Sequence, residues 1–96
     1  MQEQHVVVTN RLGLHARAAA KLVRTASGFR SSIRLERAGN GGGDDISADA
    51  KSILSVLMLA ASRGTHLSIV CEGIDEEVAL GAVCALFERI FGEDQE

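Results

Sequence analysis

The chain has 96 residues, of which 46% are hydrophobic and 24% charged, and its formal net charge is −3. This length fits one domain over residues 1–96, and the mild charge, with no basic stripe between aromatics, argues against a nucleic-acid partner. The longest apolar stretch, residues 53–61, is far shorter than the ~20 residues that span a bilayer. Because the amino terminus also lacks a signal-peptide pattern, we expect a cytoplasmic protein without membrane insertion.

The first half of the chain predicts a strand, a loop, a helix and a second strand. His5–Thr9 is β-branched and short, as strands are, and Asn10–Leu14 forms a loop. Ala16–Ala26 has helical spacing of its apolar positions, which are Ala16, Ala19, Ala20, Val23 and Ala26. Gly28 is expected to end this helix in a left-handed conformation. Ser31–Arg37 alternates as a strand with one wet face, with Ile33 and Leu35 inward.

The second half predicts a hairpin, another helix, a strand and a final helix. Gly39–Asp45 is a hairpin connection to a short strand over Ile46–Ala48, and His66–Glu72 is a further strand. Ser52 is placed to cap a helix over Ile53–Ala61, with Gly64 just beyond its end. The last helix is expected to begin after a capping Asp75 and to bury Ala79, Val83, Leu86 and Ile90.

The resulting order is β-α-β-β-α-β-α, in which each strand pattern has one polar face. Such strands form an antiparallel sheet with helices on a single side. We therefore expect an α+β open-faced sandwich of four antiparallel strands with three helices on one face.

Several kinds of site are disfavoured by residue spacing. Cys71 and Cys84 lie in apolar segments without a CxxC spacing, which predicts buried free thiols in a reducing compartment. The three histidines and two cysteines lack metal-ligand spacing, so neither a metal nor another cofactor is expected. The Gly-rich segment over residues 39–45 is not followed by Gly-Lys-Ser/Thr and therefore is not a nucleotide-binding loop.

His15 is the strongest candidate for chemistry because it stands between a glycine-containing loop and a helix. Free N–H groups of the first turn, including those of Ala16 and Arg17, point towards a group carried by His15. The helix dipole attracts an anion there by ~0.3–1 kcal/mol. Together with Arg17, the dipole disfavours the imidazolium and leaves a nucleophilic neutral ring. Spacing alone leaves open that His15 merely caps the helix.

The segment Asn-Arg-Leu-Gly-Leu-His-Ala-Arg at residues 10–17 resembles the HPr family, the phosphocarriers of the bacterial phosphoenolpyruvate-dependent phosphotransferase system. Two later blocks, Asp-Ala-Lys-Ser-Ile-Leu at 49–54 and Arg-Gly-Thr-His-Leu at 63–67, agree in order and spacing. The resemblance implies that His15 is phosphorylated by Enzyme I at the ring nitrogen nearer the backbone, and that Arg17 contacts the phosphate. It also implies that Ser52 is the serine modified by an HPr serine kinase/phosphorylase where that regulation exists.

Two features depart from the family pattern. Ala18 stands where proline is usual, which costs some rigidity of the first turn but should leave phosphoryl transfer intact. The hairpin over residues 39–45 is longer and looser than usual, and we expect it to be tolerated rather than functional. Ser52 also has a purely structural interpretation as a helix cap, worth ~1 kcal/mol over alanine. Leu54 and Met58 are candidates for an apolar docking patch near His15.

These observations predict a monomeric carrier rather than an enzyme that turns over independently. The implied partners are Enzyme I and an Enzyme IIA-type acceptor in sugar uptake and its regulation. Two alternatives remain at this point. The carboxyl-terminal segment resembles the nitrogen-related members, which favours a regulatory branch, and a degenerate binding module would keep the fold without phosphotransfer.

Overall fold

The computed structural model describes residues 1–37 and 45–93, with side chains to residue 89. Its elements in chain order are β1 (Gln2–Val7), α1 (Ala16–Ala26), β2 (Ser32–Arg37), β3 (Ile46–Asp49), α2 (Ile53–Met58), β4 (His66–Glu72) and α3 (Glu76–Glu93). The predicted hairpin at 39–45 falls, apart from Asp45, outside the described residues. None of the helices within these ranges is long and apolar enough to cross a membrane.

The four strands form one antiparallel sheet in the order β1-β4-β2-β3. In β4, Leu67, Ile69 and Cys71 are buried, and in β2 the inward residues are Ile33 and Leu35. These inward faces pack with the helices into one aliphatic core, in which Leu22, Val56 and Val83 represent the three helices. The predicted α+β open-faced sandwich is therefore confirmed, as are the bounds of α1 and β4.

The buried face of α1 differs from the predicted one. Its buried residues are Ala18, Ala19, Leu22 and Ala26, whereas Ala16 is exposed. Five of the eleven residues of α1 are alanines, which pack equally well on either face because they give little hydrophobic contrast, so the largest apolar residue, Leu22, sets the orientation. Gly28 was also wrongly predicted: the cap is Ser27 in right-handed conformation, and Gly28 does not have a positive φ.

Helix α2 is shorter than predicted because it ends at Met58 rather than Ala61. Ala60 adopts a left-handed conformation with φ of +54°. The carbonyl of the next residue, Ala61, accepts a hydrogen bond from the Leu14 backbone at 2.9 Å. The chain thus leaves the helical path before Ala61, whose carbonyl pairs with the loop that precedes His15.

Asp75 and the buried stripe of α3 also differ in detail from the sequence prediction. The Asp75 carboxylate accepts hydrogen bonds from the Arg30 and Ser31 backbones, both at 2.9 Å, and from the Ser31 hydroxyl. It therefore joins the segment that precedes β2 to the residue that precedes α3. Along α3, Ala79 and Val83 are buried as predicted, while Phe87 is also buried and Leu86 is half-buried. The predicted burial of Ile90 falls on a side chain outside the described ones.

Candidate functional site

The loop before α1 is a tight turn held by Asn10 and Gly13. The Gly13 backbone donates to the Asn10 carbonyl at 3.2 Å, and the fully buried Asn10 side chain donates through Nδ2 to the Gly13 carbonyl at 2.8 Å. The same Gly13 carbonyl accepts from the His15 backbone at 2.9 Å. The turn therefore fixes the backbone of His15 directly.

Only glycine fits at position 13. Its φ is +68°, which residues with a Cβ rarely adopt. A Cβ there would also lie 2.5 Å from the Ala61 carbonyl oxygen and 2.9 Å from the Ser62 Cα. The close approach brings the segment that follows α2 against the loop that precedes His15.

His15 occupies the N-cap of α1, with φ of −78° and ψ of −179°. Its Nδ1 accepts a hydrogen bond from the Arg17 backbone at 3.3 Å, and its carbonyl accepts from the Ala19 backbone at 2.8 Å. A ring nitrogen that accepts a hydrogen bond carries a lone pair and no proton. The side chain is half-buried, so Nδ1 is held at the amino end of α1 while the ring is still reachable.

The first turn of α1 favours an anion at this position. Backbone N–H groups at a helix amino terminus lack helical partners and carry a partial positive charge. The turn contains no acidic residue, and Ala16 and Arg17 are both exposed. Ala18, in contrast, is 1% exposed and packs in the core, so the methyl group at the position where proline is usual contributes to packing.

Ser52 is a working helix cap at the start of α2. Its Oγ accepts from the Ser55 backbone at 3.2 Å, and the Nζ of the neighbouring Lys51 donates to the Phe29 carbonyl at 2.8 Å. Phe29 follows the end of α1, whereas His15 precedes its start. Lys51, next to Ser52, thus reaches the end of α1 opposite to the one that His15 caps, and the helix between them has 11 residues, or about 16 Å.

Leu54 and Met58 are exposed, at 68% and 72% of their surface. Exposed apolar side chains also occur at Leu57, in the same helix, and at Leu12, in the loop that precedes His15. The segment after α2 contacts that loop, so the carboxyl end of α2 lies beside the loop that precedes His15. We call Leu12, Leu54, Leu57 and Met58 the apolar patch.

The cysteines do not offer a second nucleophile. Cys71 is buried and Cys84 half-buried, both as free thiols, and burial raises the pKa of each. A raised pKa keeps a thiol protonated and unreactive at neutral pH. Within the described ranges, no three His, Cys, Asp or Glu side chains come together in a way that could hold a metal ion.

Comparison with known proteins adds to this geometry. Residues 2–89 match the family described as the PTS HPr component phosphorylation site. The chain belongs to the HPr phosphocarrier family. Such a protein carries a phosphoryl group within the phosphotransferase system rather than turning over a substrate by itself.

Relatives of known name align along almost the whole chain. The phosphocarrier protein HPr of Xylella fastidiosa is 47% identical over 94 residues, covering 98% of this chain and 99% of that protein. The phosphocarrier protein NPr of Proteus mirabilis is 39% identical over 93 residues, covering 97% and 98%. Both HPr and NPr branches are therefore among the relatives of this chain.

A solved structure confirms the fold. The crystal structure of HPr-C-His from Thermoanaerobacter tengcongensis superposes with a TM-score of 0.84 at 39% identity, covering 96% of this chain and 97% of that one. The open sheet with three helices, in the order given above, is thus the fold of the HPr family.

Asn10 is the residue of the site that sequence reasoning undervalued. The sequence pattern places Asn10 only within the loop over residues 10–14. In the structure its side chain is fully buried and binds the Gly13 carbonyl, which positions His15. Its Oδ1 is buried without a hydrogen-bond partner among the described residues. The available signal was the Asn-x-x-Gly spacing, which is typical of turns closed by an asparagine side chain.

Proposed function

We propose that the chain accepts a phosphoryl group from phosphorylated Enzyme I on Nδ1 of His15 and passes it to an Enzyme IIA-type acceptor, in sugar uptake and its regulation. The observation that carries the proposal is the hydrogen bond from the Arg17 backbone to Nδ1 at the amino end of α1. It orients the ring so that Nδ1, as the acceptor, lies beside a site that favours an anion.

The transfer is a displacement at phosphorus. The Nδ1 lone pair forms the new N–P bond while the bond from phosphorus to its donor group on Enzyme I breaks, and that electron pair returns to the donor. The Arg17 N–H, which points at Nδ1 before transfer, then donates to a phosphoryl oxygen. Delivery to the acceptor is the same displacement with the roles reversed, so the site has to position the phosphate without trapping it.

The Arg17 side chain is proposed to steady the transferred charge. Guanidinium groups bind phosphate oxygens through two parallel hydrogen bonds, and Arg17 is exposed two residues after His15. Arg24 lies on the same helix, is also exposed, and stands in the last turn. It therefore provides a control of equal charge away from the phosphate.

The apolar patch is proposed to be the surface on which both partners dock. Leu54 and Met58 expose most of their surface, α2 ends beside the loop that precedes His15, and exposed apolar groups around a site favour protein association. Leu54→Asp and Met58→Asp should slow phosphorylation by Enzyme I without lowering Tm. Ile74→Asp is the control, because Ile74 is 85% exposed in the turn between β4 and α3.

Regulatory phosphorylation of Ser52 is proposed as a second layer. A phosphate at this cap would sit at the helix amino end, close to Ile53 and Leu54, both exposed. Two added negative charges beside an apolar docking surface oppose partner binding. An HPr serine kinase/phosphorylase is the partner that this regulation requires.

A regulatory role in an NPr-type branch is the second candidate function. The 39% identity to the NPr of Proteus mirabilis over nearly the whole chain supports it. It would use the same His15 chemistry with a different acceptor, and would act mainly through protein docking. Transfer to purified acceptors of each branch, compared at equal concentration, distinguishes the two.

We further propose a cytoplasmic monomer, since a carrier has to expose His15 to successive partners. Sedimentation equilibrium of the unmodified and phosphorylated protein tests this. A stable dimer that covers His15 would contradict it.

Intact-mass analysis after incubation with Enzyme I and phosphoenolpyruvate tests the central proposal. We expect one acid-labile phosphate on the unaltered protein and on His5→Gln and His66→Gln, whose histidines lie in the sheet, and none on His15→Gln. Arg17→Gln should transfer more slowly than Arg24→Gln. A phosphate that persists on His15→Gln would refute the assignment.

A further inference from the structure

A groove of about 620 Å³ lies between β1 and α3, apart from the proposed phosphoryl site. It touches four consecutive strand residues, from Gln4 to Val7, together with Leu80, Gly81 and Cys84 of the helix. Successive side chains of a strand point to opposite faces of the sheet. A groove that touches consecutive residues must therefore run along the edge of the strand rather than across one face.

That edge belongs to a strand with one partner. The sheet order places β1 at its border, and within the described ranges it pairs only with β4. The outward N–H and C=O groups of such an edge strand are a template for a further strand. Peptide-binding domains use this arrangement, in which main-chain hydrogen bonds supply affinity and pockets beside the strand supply specificity.

The wall of the groove formed by α3 has an acidic residue at each end and small residues at its centre. Counted from Glu77, the residues four, seven and eleven positions later are Gly81, Cys84 and Glu88. This spacing places all four along one side of α3. All four line the groove, whose described lining contains no Lys or Arg. Eleven helical residues separate the two glutamates by about 16 Å.

Gly81 lacks a packing reason within α3. Glycine is unfavourable inside a helix, and a Cβ at this position would meet nothing within 4 Å. The residue is exposed. The open space over Gly81 is thus the centre of the groove, and a longer side chain there would fill it.

We propose that this groove binds an extended peptide as a fifth strand on β1, with an apolar side chain between two basic ones. The apolar residue packs over Leu80, Gly81 and Cys84, and the basic residues face Glu77 and Glu88. Residues four apart on a strand share a face and span about 13 Å. Flexible Lys or Arg side chains cover the remaining distance, so the recognised pattern is basic-x-apolar-x-basic.

The test uses ¹⁵N-labelled full chain and the capped heptapeptide Thr-Lys-Thr-Val-Thr-Lys-Thr. We expect amide shifts confined to β1 and to the groove side of α3, with interstrand contacts to the peptide backbone. Replacing both lysines of the peptide by glutamate should abolish binding, and N-methylating its alternate amides that face β1 should do the same.

The decisive variant is Gly81→Gln, which fills the groove while improving helix propensity. This variant should raise Tm and weaken binding of the peptide at least about tenfold. Ala85→Gln is the matched control, since Ala85 is exposed on α3 but does not line the groove; it should bind like the unaltered protein. Phosphorylation of His15 should be unchanged in both variants, which separates this proposal from the carrier function.

Three results would overturn the proposal. The first is the absence of shifts in β1 at millimolar peptide. The second is equal binding to Gly81→Gln and the unaltered chain. The third is a dimer, seen by sedimentation, that Gly81→Gln abolishes, because the groove would then hold a second copy of the chain instead of a peptide.

Discussion

Replacing Gly13 by alanine tests the idea that a backbone contact positions His15. The added Cβ would lie 2.5 Å from the Ala61 carbonyl oxygen, so that carbonyl has to withdraw by at least about half an ångström. Ala61 accepts the Leu14 backbone hydrogen bond at 2.9 Å, which the movement would weaken. The substitution therefore disturbs both the fold and the residue next to His15.

The magnitude follows from three contributions to the free energy of unfolding. A left-handed alanine destabilises the folded state by about 1–2 kcal/mol. The reduced entropy of the unfolded chain offsets about 0.4–1 kcal/mol of this loss. Weakening the Leu14–Ala61 hydrogen bond and moving the backbone adds about 1–2 kcal/mol. At the middle of these ranges the net loss is about 2.3 kcal/mol, which corresponds to roughly 9–18 °C in Tm for a domain of this size.

Gly64→Ala is the matched control. Gly64 also has a positive φ, +91°, but a Cβ there would meet nothing within 4 Å. At the middle of the same ranges, Gly64→Ala should lose about 0.8 kcal/mol. Urea unfolding of both variants isolates the steric part, and the rate of phosphorylation by Enzyme I, measured where both are folded, should fall only for Gly13→Ala. Equal stability of the two variants, or an unaltered rate for Gly13→Ala, would refute the reasoning.

Three further predictions concern stability. Ser52→Ala should lower the free energy of unfolding by about 1 kcal/mol through loss of the cap; denaturation in urea measures it, and no loss would mean that Ser52 does not cap α2. Gly81→Ala should raise the free energy of unfolding by about 0.5–1 kcal/mol, because alanine has the higher helix propensity and its Cβ would meet nothing within 4 Å. A decrease would reveal an unrecognised contact. Hydrogen bonds from Ser31 and the Arg30 backbone hold the pKa of Asp75 below its ordinary value, so its contribution is present above about pH 4 and is lost as the pH falls through the lowered pKa. Asp75→Asn should therefore lower Tm at pH 7 and reduce the fall of Tm on acidification; an unchanged acid profile would contradict this.

The contrast between α1 and α2 shows which local signals were sufficient. The bounds of α1 followed from its loop and its helical spacing, and both are as predicted. Its buried face was misassigned because a helix rich in alanine carries little hydrophobic contrast, so the direction is set by where Leu22 meets the sheet. The end of α2 could not be predicted, since Ala60 and Ala61 are good helix formers. In the fold, Ala60 is left-handed and the Ala61 carbonyl pairs with the Leu14 backbone.

The beginning of β1 was missed for a related reason. Gln2, Glu3 and Gln4 have weak strand propensity, yet they pair with Cys71, Val70 and Ile69 of β4. Backbone pairing with β4, which lies almost 70 residues away in sequence, brings these residues into the sheet. Asp75 likewise found its partners about 45 residues away.

By itself, the sequence determined the order of elements, the sandwich of sheet and helices, and the placement of His15 at the start of α1, because periodicity and helix-start signals are local. Only the tertiary structure decided what surrounds His15 and what the edges of the sheet offer. The Gly13–Ala61 approach, the buried Asn10 and the groove beside β1 each join segments distant in the chain. Such contacts depend on how the elements pack, which no local pattern records.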